Sequence, residues 1–169
     1  LEVKEIGDGN LNYVFRARDL TTGKSVIIKH AGENLRIDSS MMASVDRNRI
    51  ESEILKKQYE FAPDYVPEVY YYDTIMCALI MEDLFDYEMM RTAMLENKVF
   101  PKFADQITTF LIQTQLPTTD MVEEHKIKKE NVKKFINPDL CEISENLVLT
   151  EPFNDINGKN KISKGNEDF

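Results

Sequence analysis

The sequence predicts an α+β chain in which a five-stranded antiparallel sheet with one inserted helix precedes a purely helical half. Three observations predict it. Short runs rich in β-branched and aromatic residues, separated by turn signals, fill residues 3–30 and 68–81. A single stretch of helical periodicity lies between those two sets, around Ile50, Ile54, Leu55 and Tyr59. After residue 82 the apolar residues recur at helical spacing only.

Val3–Ile6 and Tyr13–Arg18 read as paired strands around a glycine turn, and Ser25–His30 as a third strand, joined through Thr21-Thr22-Gly23-Lys24. Residues 31–43 are irregular, with a turn signal at Asp38-Ser39-Ser40. Asp46 or Ser44 can cap a helix that runs to about Phe61, where Pro63 and Pro67 end it. Glu68–Asp73 and Ile75–Met81 complete the strands. Helices are expected over Asp86–Asn97, Lys102–Gln115, Val122–Asn137 and Pro138–Glu145, with a loop-rich tail from Glu151. Asn166 could cap a further helix, so the ends read as those of a piece of a longer protein.

Composition bounds the function. The 169 residues are 42% hydrophobic and 30% charged, an ordinary globular balance. A net charge of −9 argues against nonspecific binding to nucleic acid or to an anionic membrane. The longest apolar run, Ile75–Met81, has seven residues, against the ~20 that span a bilayer. The first residues carry no basic segment followed by an apolar core. Cys77 and Cys141 form no metal or redox motif and read as reduced thiols, which suits a cytoplasmic protein.

Four features carry chemistry in chain order. Gly7-x-Gly9-x-x-Asn12-x-Val14 has the spacing of a loop that covers nucleotide phosphates, with Asn12 in the third glycine position. Glycines let backbone N–H groups approach phosphate closely, and asparagine tolerates left-handed backbone while adding an amide donor. Val14 would lie over an adenine ring. Lys29 ends an apolar strand, where a lysine is costly without a partner; behind a glycine loop it suits the α and β phosphates. The partner is Glu51 or Glu53. Glu51 is preferred, because it sits one turn before Leu55, whereas Glu53 points about 160° away from it. Met81-Glu82-Asp83-Leu84 closes an apolar strand ahead of the helical half; the Glu82 carbonyl and Leu84 N–H have the alternate spacing that adenine needs. Each feature alone also fits an ordinary turn, edge lysine or helix surface. Their order is that of the front half of a protein-kinase ATP site. His30 and His125 have no metal or triad company, and no Asp-Phe-Gly occurs.

The string from Glu5 to Arg16, with Gly7, Gly9, Asn10, Asn12 and Val14, resembles the nucleotide loop of 5-methylthioribose kinases. So do Arg47-Asn48-Arg49-Ile50-Glu51-Ser52-Glu53, Met81-Glu82-Asp83-Leu84, and the run from Val132 to Ile143, which lies outside the ATP site. The resemblance implies an aminoglycoside-phosphotransferase-like, two-lobed kinase fold. On it, residues 1–81 are the N-lobe, 82–85 the hinge, and 86–169 the helical start of an incomplete C-lobe. The family transfers the γ-phosphate of ATP to the 1-hydroxyl of 5-methylthioribose in methionine salvage. It uses Mg²⁺ and usually works as a homodimer, with no nucleic-acid or membrane partner. By position, Asn12 and Lys29 would carry phosphate contacts and Glu82, Asp83 and Leu84 adenine contacts. The family's catalytic aspartate, in a His-Gly-Asp segment, and its metal ligands have no counterpart in this sequence, so these 169 residues alone are expected to be inactive. Two alternatives stand beside this one: an aminoglycoside or choline kinase relative, and a catalytically dead, kinase-like nucleotide-binding module.

Overall fold

A computed structural model describes residues 1–7, 9, 11–36, 39, 41–154 and 158. Asn10, the turn residues Asp38 and Ser40, and Asn166 lie outside the described residues. The chain divides into two units, Leu1–Ile136 and Asn137–Phe169.

The first unit opens with β1 (Glu2–Glu5), β2 (Tyr13–Arg18) and β3 (Ser25–His30), then α1 (Arg47–Phe61), β4 (Val69–Asp73) and β5 (Ala78–Glu82). The five strands form one antiparallel sheet in the order β1-β2-β3-β5-β4. This bears out the α+β class and the insertion of one helix after the third strand, the arrangement of a kinase-like N-lobe. Placing β5 between β3 and β4 sets Lys29 between Val14 and Leu79 in the sheet register. Helix α1 packs against β4 and β5. The core holds Ala17, Ile27, Ile50, Val66 and Leu79.

Element boundaries differ from the sequence reading by three residues or more in three places, each for a local reason. The fifth strand begins at Ala78 rather than Ile75, because the Asp73 carboxylate accepts the N–H groups of Ile75 (2.8 Å) and Met76 (2.9 Å) and folds them into a turn. Cys77 closes that turn with φ +47°. The expected helix over 86–97 shortens to α2 (Met90–Leu95), since the Tyr87 N–H turns back to the Leu84 carbonyl. The helix expected over 122–137 is α4 (His125–Phe135): the N–H groups of Val122 and Glu123 both bond back to Thr119, and Glu124 caps the helix through Ile127. Asp46 does precede α1, but its carboxylate is drawn to Arg49 and makes no capping hydrogen bond.

Helix α3 (Phe103–Gln115) runs as expected and ends in a 3-10 turn at Leu116–Thr118. The rings of Tyr65 and Phe110 lie 6.3 Å apart and join α3 to the segment after α1. Lys134 of α4 meets Glu53 of α1 at 2.8 Å. Even so, α2 and α3 leave Met94, Leu95, Phe103, Leu111 and Ile112 exposed. The second unit has α5 (Pro138–Glu145), with Asn137 as its cap and Pro138 at the first helical position, followed by a π-type turn over Asn146–Thr150. No helix among the described residues is long and apolar enough to cross a membrane.

Leu79, the second residue of β5, is fully buried. Replacing it with alanine leaves a cavity in the middle of the sheet. Leu79→Ala is expected to lower unfolding free energy by about 3 kcal/mol, read from the urea midpoint of the full-length gene product at an unchanged slope.

Candidate functional site

The glycine loop joins β1 to β2. Gly7 has φ +80°, a left-handed conformation in which a side chain would be strained, so the glycine is required there. The Ile6 N–H bonds to the Val14 carbonyl at 2.8 Å and closes the base of the loop. Val14 lies on β2 directly across from Lys29 on β3.

The Lys29 ammonium pairs with Glu51 of α1. Both side chains are partly accessible, so the pair is open to a ligand. Glu53 lies on another face, bound to Arg49 at 3.1 Å and to Lys134. Burial pushes the Glu53 carboxyl up, but Lys134 and Arg49 outweigh it and hold the group below its usual range. Of the two glutamates, Glu51 is therefore the one that faces the lysine.

Asn12 is buried, and its side chain is turned inward. Its amide nitrogen donates to Asn48 Oδ1 at 3.3 Å, and its carbonyl oxygen accepts from Arg47 Nε at 2.8 Å. Arg47, only 4% exposed, spends its other N–H groups on the carbonyls of Ala43 (2.8 Å), Ser44 (3.0 Å), Gly32 (2.7 Å) and Leu11 (3.4 Å). Asn48 is fully buried and donates to the carbonyls of Lys29 (2.8 Å) and Cys77 (2.7 Å). Arg36, from the irregular segment after β3, reaches the Gly9 carbonyl (3.0 Å) and Glu5 (3.1 Å). The glycine loop thus has two of its carbonyls held by arginines.

At the end of β5, Glu82 pairs in register with Val26 of β3 and accepts the Glu68 N–H on its carboxylate at 3.1 Å. Asp83 is buried. Its carboxylate takes a bidentate pair from Arg16 (2.6 and 2.9 Å) and the Ser25 hydroxyl (2.6 Å). Burial pushes the Asp83 carboxyl up, yet the hydrogen bonds from Arg16 and Ser25 prevail and hold it below its ordinary value. Leu84 follows, half exposed. Glu82 and Leu84 also line a cavity of about 550 Å³ with Tyr65, Tyr87 and Gln106. A second cavity, about 330 Å³, lies between α1, α3 and α4 and takes none of the nucleotide-site residues expected from the sequence.

The sequence reading brought out Gly7, Gly9, Val14, Lys29 and Glu51 but gave no role to Arg16, Arg36, Arg47 or Asn48. A usable signal existed for two of them. Arg47 and Asn48 precede Ile50 on the first turn of α1, so polar side chains occupy inward positions of an amphipathic helix, and such groups must find partners.

The chain is 46% identical to the methylthioribose kinase of Bacillus pumilus over 156 residues, 92% of this chain and 39% of that protein. The methylthioribose kinase of Bacillus velezensis matches at 43% identity over 92% of this chain and 40% of its own length. That of Yersinia enterocolitica matches at 38% over 89% and 38%. The chain is similar to methylthioribose kinases. The resemblance drawn from the loop, helix and hinge motifs is borne out, and the chain spans about two fifths of the length of these kinases. No family model matches it.

Asp83 supplies a pH test. Its folded pKa lies below the ordinary aspartate value of 3.8, so the ionised carboxylate stabilises the fold. That contribution is complete above the unfolded value and disappears as pH falls through the lowered one. The stability gap between wild type and Asp83→Asn is expected to stay constant from pH 7 to about 5 and to close below about 4, followed by denaturant titration across pH.

Proposed function

We propose that the chain is the nucleotide-binding part of a small-molecule kinase that moves the γ-phosphate of ATP to the 1-hydroxyl of 5-methylthioribose, a methionine-salvage reaction. The observation that carries the nucleotide assignment is the Lys29–Glu51 pair beside a loop opened by left-handed Gly7. The acceptor assignment rests on the likeness to methylthioribose kinases. Residues 1–81 then act as the N-lobe, 82–85 as the hinge and the helices from residue 86 as the start of a second lobe. A cytoplasmic homodimer is the matching cellular form.

In this reading the chain binds and orients, and chemistry on the acceptor is completed elsewhere. Glu51 holds the Lys29 ammonium in place, so that its charge meets the α and β phosphates without first being reoriented. Gly7 and Gly9 keep side chains away from the phosphates, and Val14 covers the adenine. Asn10 belongs to the same loop. Because the Asn12 side chain is already spent on Arg47 and Asn48, its contribution to the phosphates comes through its backbone. Asp83, tied to Arg16 and Ser25, fixes the strand whose Glu82 carbonyl and Leu84 N–H take the adenine edge.

Neither carboxylate of the site is available as a base: Asp83 is bound by Arg16, and Glu51 by Lys29. The described residues also contain no group of three or more His, Cys, Asp or Glu side chains that could hold a metal ion. Mg²⁺ therefore finds no cluster of three such ligands among the described residues. The ligands that the resemblance implies for it, like the aspartate that receives the sugar proton, belong to a His-Gly-Asp-bearing second lobe.

ADP release by the full-length gene product with Mg-ATP is expected on 5-methylthioribose and not on ribose, choline or an aminoglycoside. Lys29→Ala should depress kcat/KM by about 100-fold or more, while its thermal midpoint moves little. Unchanged turnover in that variant would remove the lysine from the mechanism.

A further inference from the structure

We infer that Arg47 and Asn48 are positioning residues that clamp the glycine loop and the lysine strand to the first turn of α1, and that the Asn12 side chain serves this clamp rather than the phosphates. The inference rests on the nucleotide assignment above.

The geometry is specific. Asn48 alone touches three segments that border the site: the loop through Asn12 Nδ2, β3 through the Lys29 carbonyl, and the β4–β5 turn through the Cys77 carbonyl. Arg47 reaches the loop twice, through Asn12 Oδ1 and the Leu11 carbonyl, and β3's continuation through Gly32. Glu51, which holds the Lys29 ammonium, stands one turn further along the same helix. A single rigid element therefore sets the loop, the lysine backbone and the lysine side chain together.

Chemistry favours a clamp over packing. A guanidinium buried against neutral carbonyls, with no carboxylate within ion-pair distance among the described residues, is a costly way to fill space. Its fixed fork, however, can hold several backbone carbonyls in one plane. A glycine loop is loose by composition, and each loop residue that must be ordered when nucleotide arrives weakens binding. Holding the Leu11 carbonyl and the Asn12 side chain beforehand removes that cost. The clamp should therefore act on nucleotide affinity and leave acceptor affinity alone.

The test uses Asn12→Ala, Arg47→Met and the double variant in the full-length gene product. Kd for Mg-ATP is measured by fluorescence titration, together with KM for each substrate, kcat and the thermal midpoint. Each single variant is expected to weaken Mg-ATP binding by about tenfold, the effect of ordering one further loop residue on binding. Acceptor KM and kcat should stay within about threefold, a binding effect rather than a chemical one. The double variant should bind Mg-ATP no more weakly than Arg47→Met, because both changes open the same clamp. If the effects multiply, Asn12 contacts the nucleotide independently and the inference falls. It falls too if the thermal midpoint drops while Kd is unchanged. Should Arg47→Met not fold, Asn48→Ser with Asn12→Ala makes the same comparison. Wild type that binds Mg-ATP but turns over no acceptor would overturn the kinase assignment, and the binding comparison would still decide the clamp.

Discussion

The site depends on one buried polar constraint, the hydrogen-bonded cluster of Asn12, Arg47 and Asn48. Polar groups buried away from water must all be satisfied, or each costs about 1–3 kcal/mol. Arg47 meets that condition by spending its fork on Asn12 and four backbone carbonyls, and Asn48 by using both ends of its amide. Burial pushes the Arg47 guanidinium below its ordinary value, against a smaller opposing pull from Cys77, yet an arginine remains charged at any pH the fold survives. A charge that cannot be discarded and must be satisfied admits few backbone arrangements. The glycine loop, the end of β3, the segment entering α1 and the β4–β5 turn take the arrangement that satisfies it.

A second anchor of the same kind works at the other end of the site. Asp83 binds Arg16 of β2 and Ser25 of β3, across the sheet from its own strand. The strand that leaves the sheet toward the helical half is thus pinned just where it turns away. Between the two anchors stands the Lys29–Glu51 pair, which is partly accessible and in which each side chain has one ion-pair partner among the described residues. The contrast has a physical logic. Groups that fix geometry are buried and saturated with partners, whereas a group that must exchange a partner for a phosphate stays accessible and incompletely bonded.

Much of this was legible in the sequence, and the unread part is consistent in kind. Periodicity revealed β3, β5 and α1 because one face of each packs on a core at Ile27, Leu79 and Ile50. Spacing revealed Gly7, Lys29 and Glu51, since the loop, strand and helix stand in a fixed order. The true start of β5 was hidden, because an apolar run from Ile75 gives no sign that Asp73 will fold it into a turn. The inward rotation of Asn12 was hidden as well. An asparagine in a glycine position reads as a donor for phosphate, and only the three-dimensional approach of α1 brings it partners 35 and 36 residues away. Arg36 escaped for the same reason: its long-range hydrogen bond to the Gly9 carbonyl leaves no periodic trace.

The central claim is that nucleotide sits against the glycine loop and the strand end at Glu82–Leu84, within a frame that α1 holds rigid. Hydrogen exchange of backbone amides in the full-length gene product, with and without Mg-ATP, tests it most directly. The account predicts slowed exchange at Gly9, Asn12 and Leu84 on binding, and slow exchange at the first turns of α1 in both states. Binding without protection at the loop and at Leu84, or fast exchange at α1 that slows only when nucleotide is present, would contradict it.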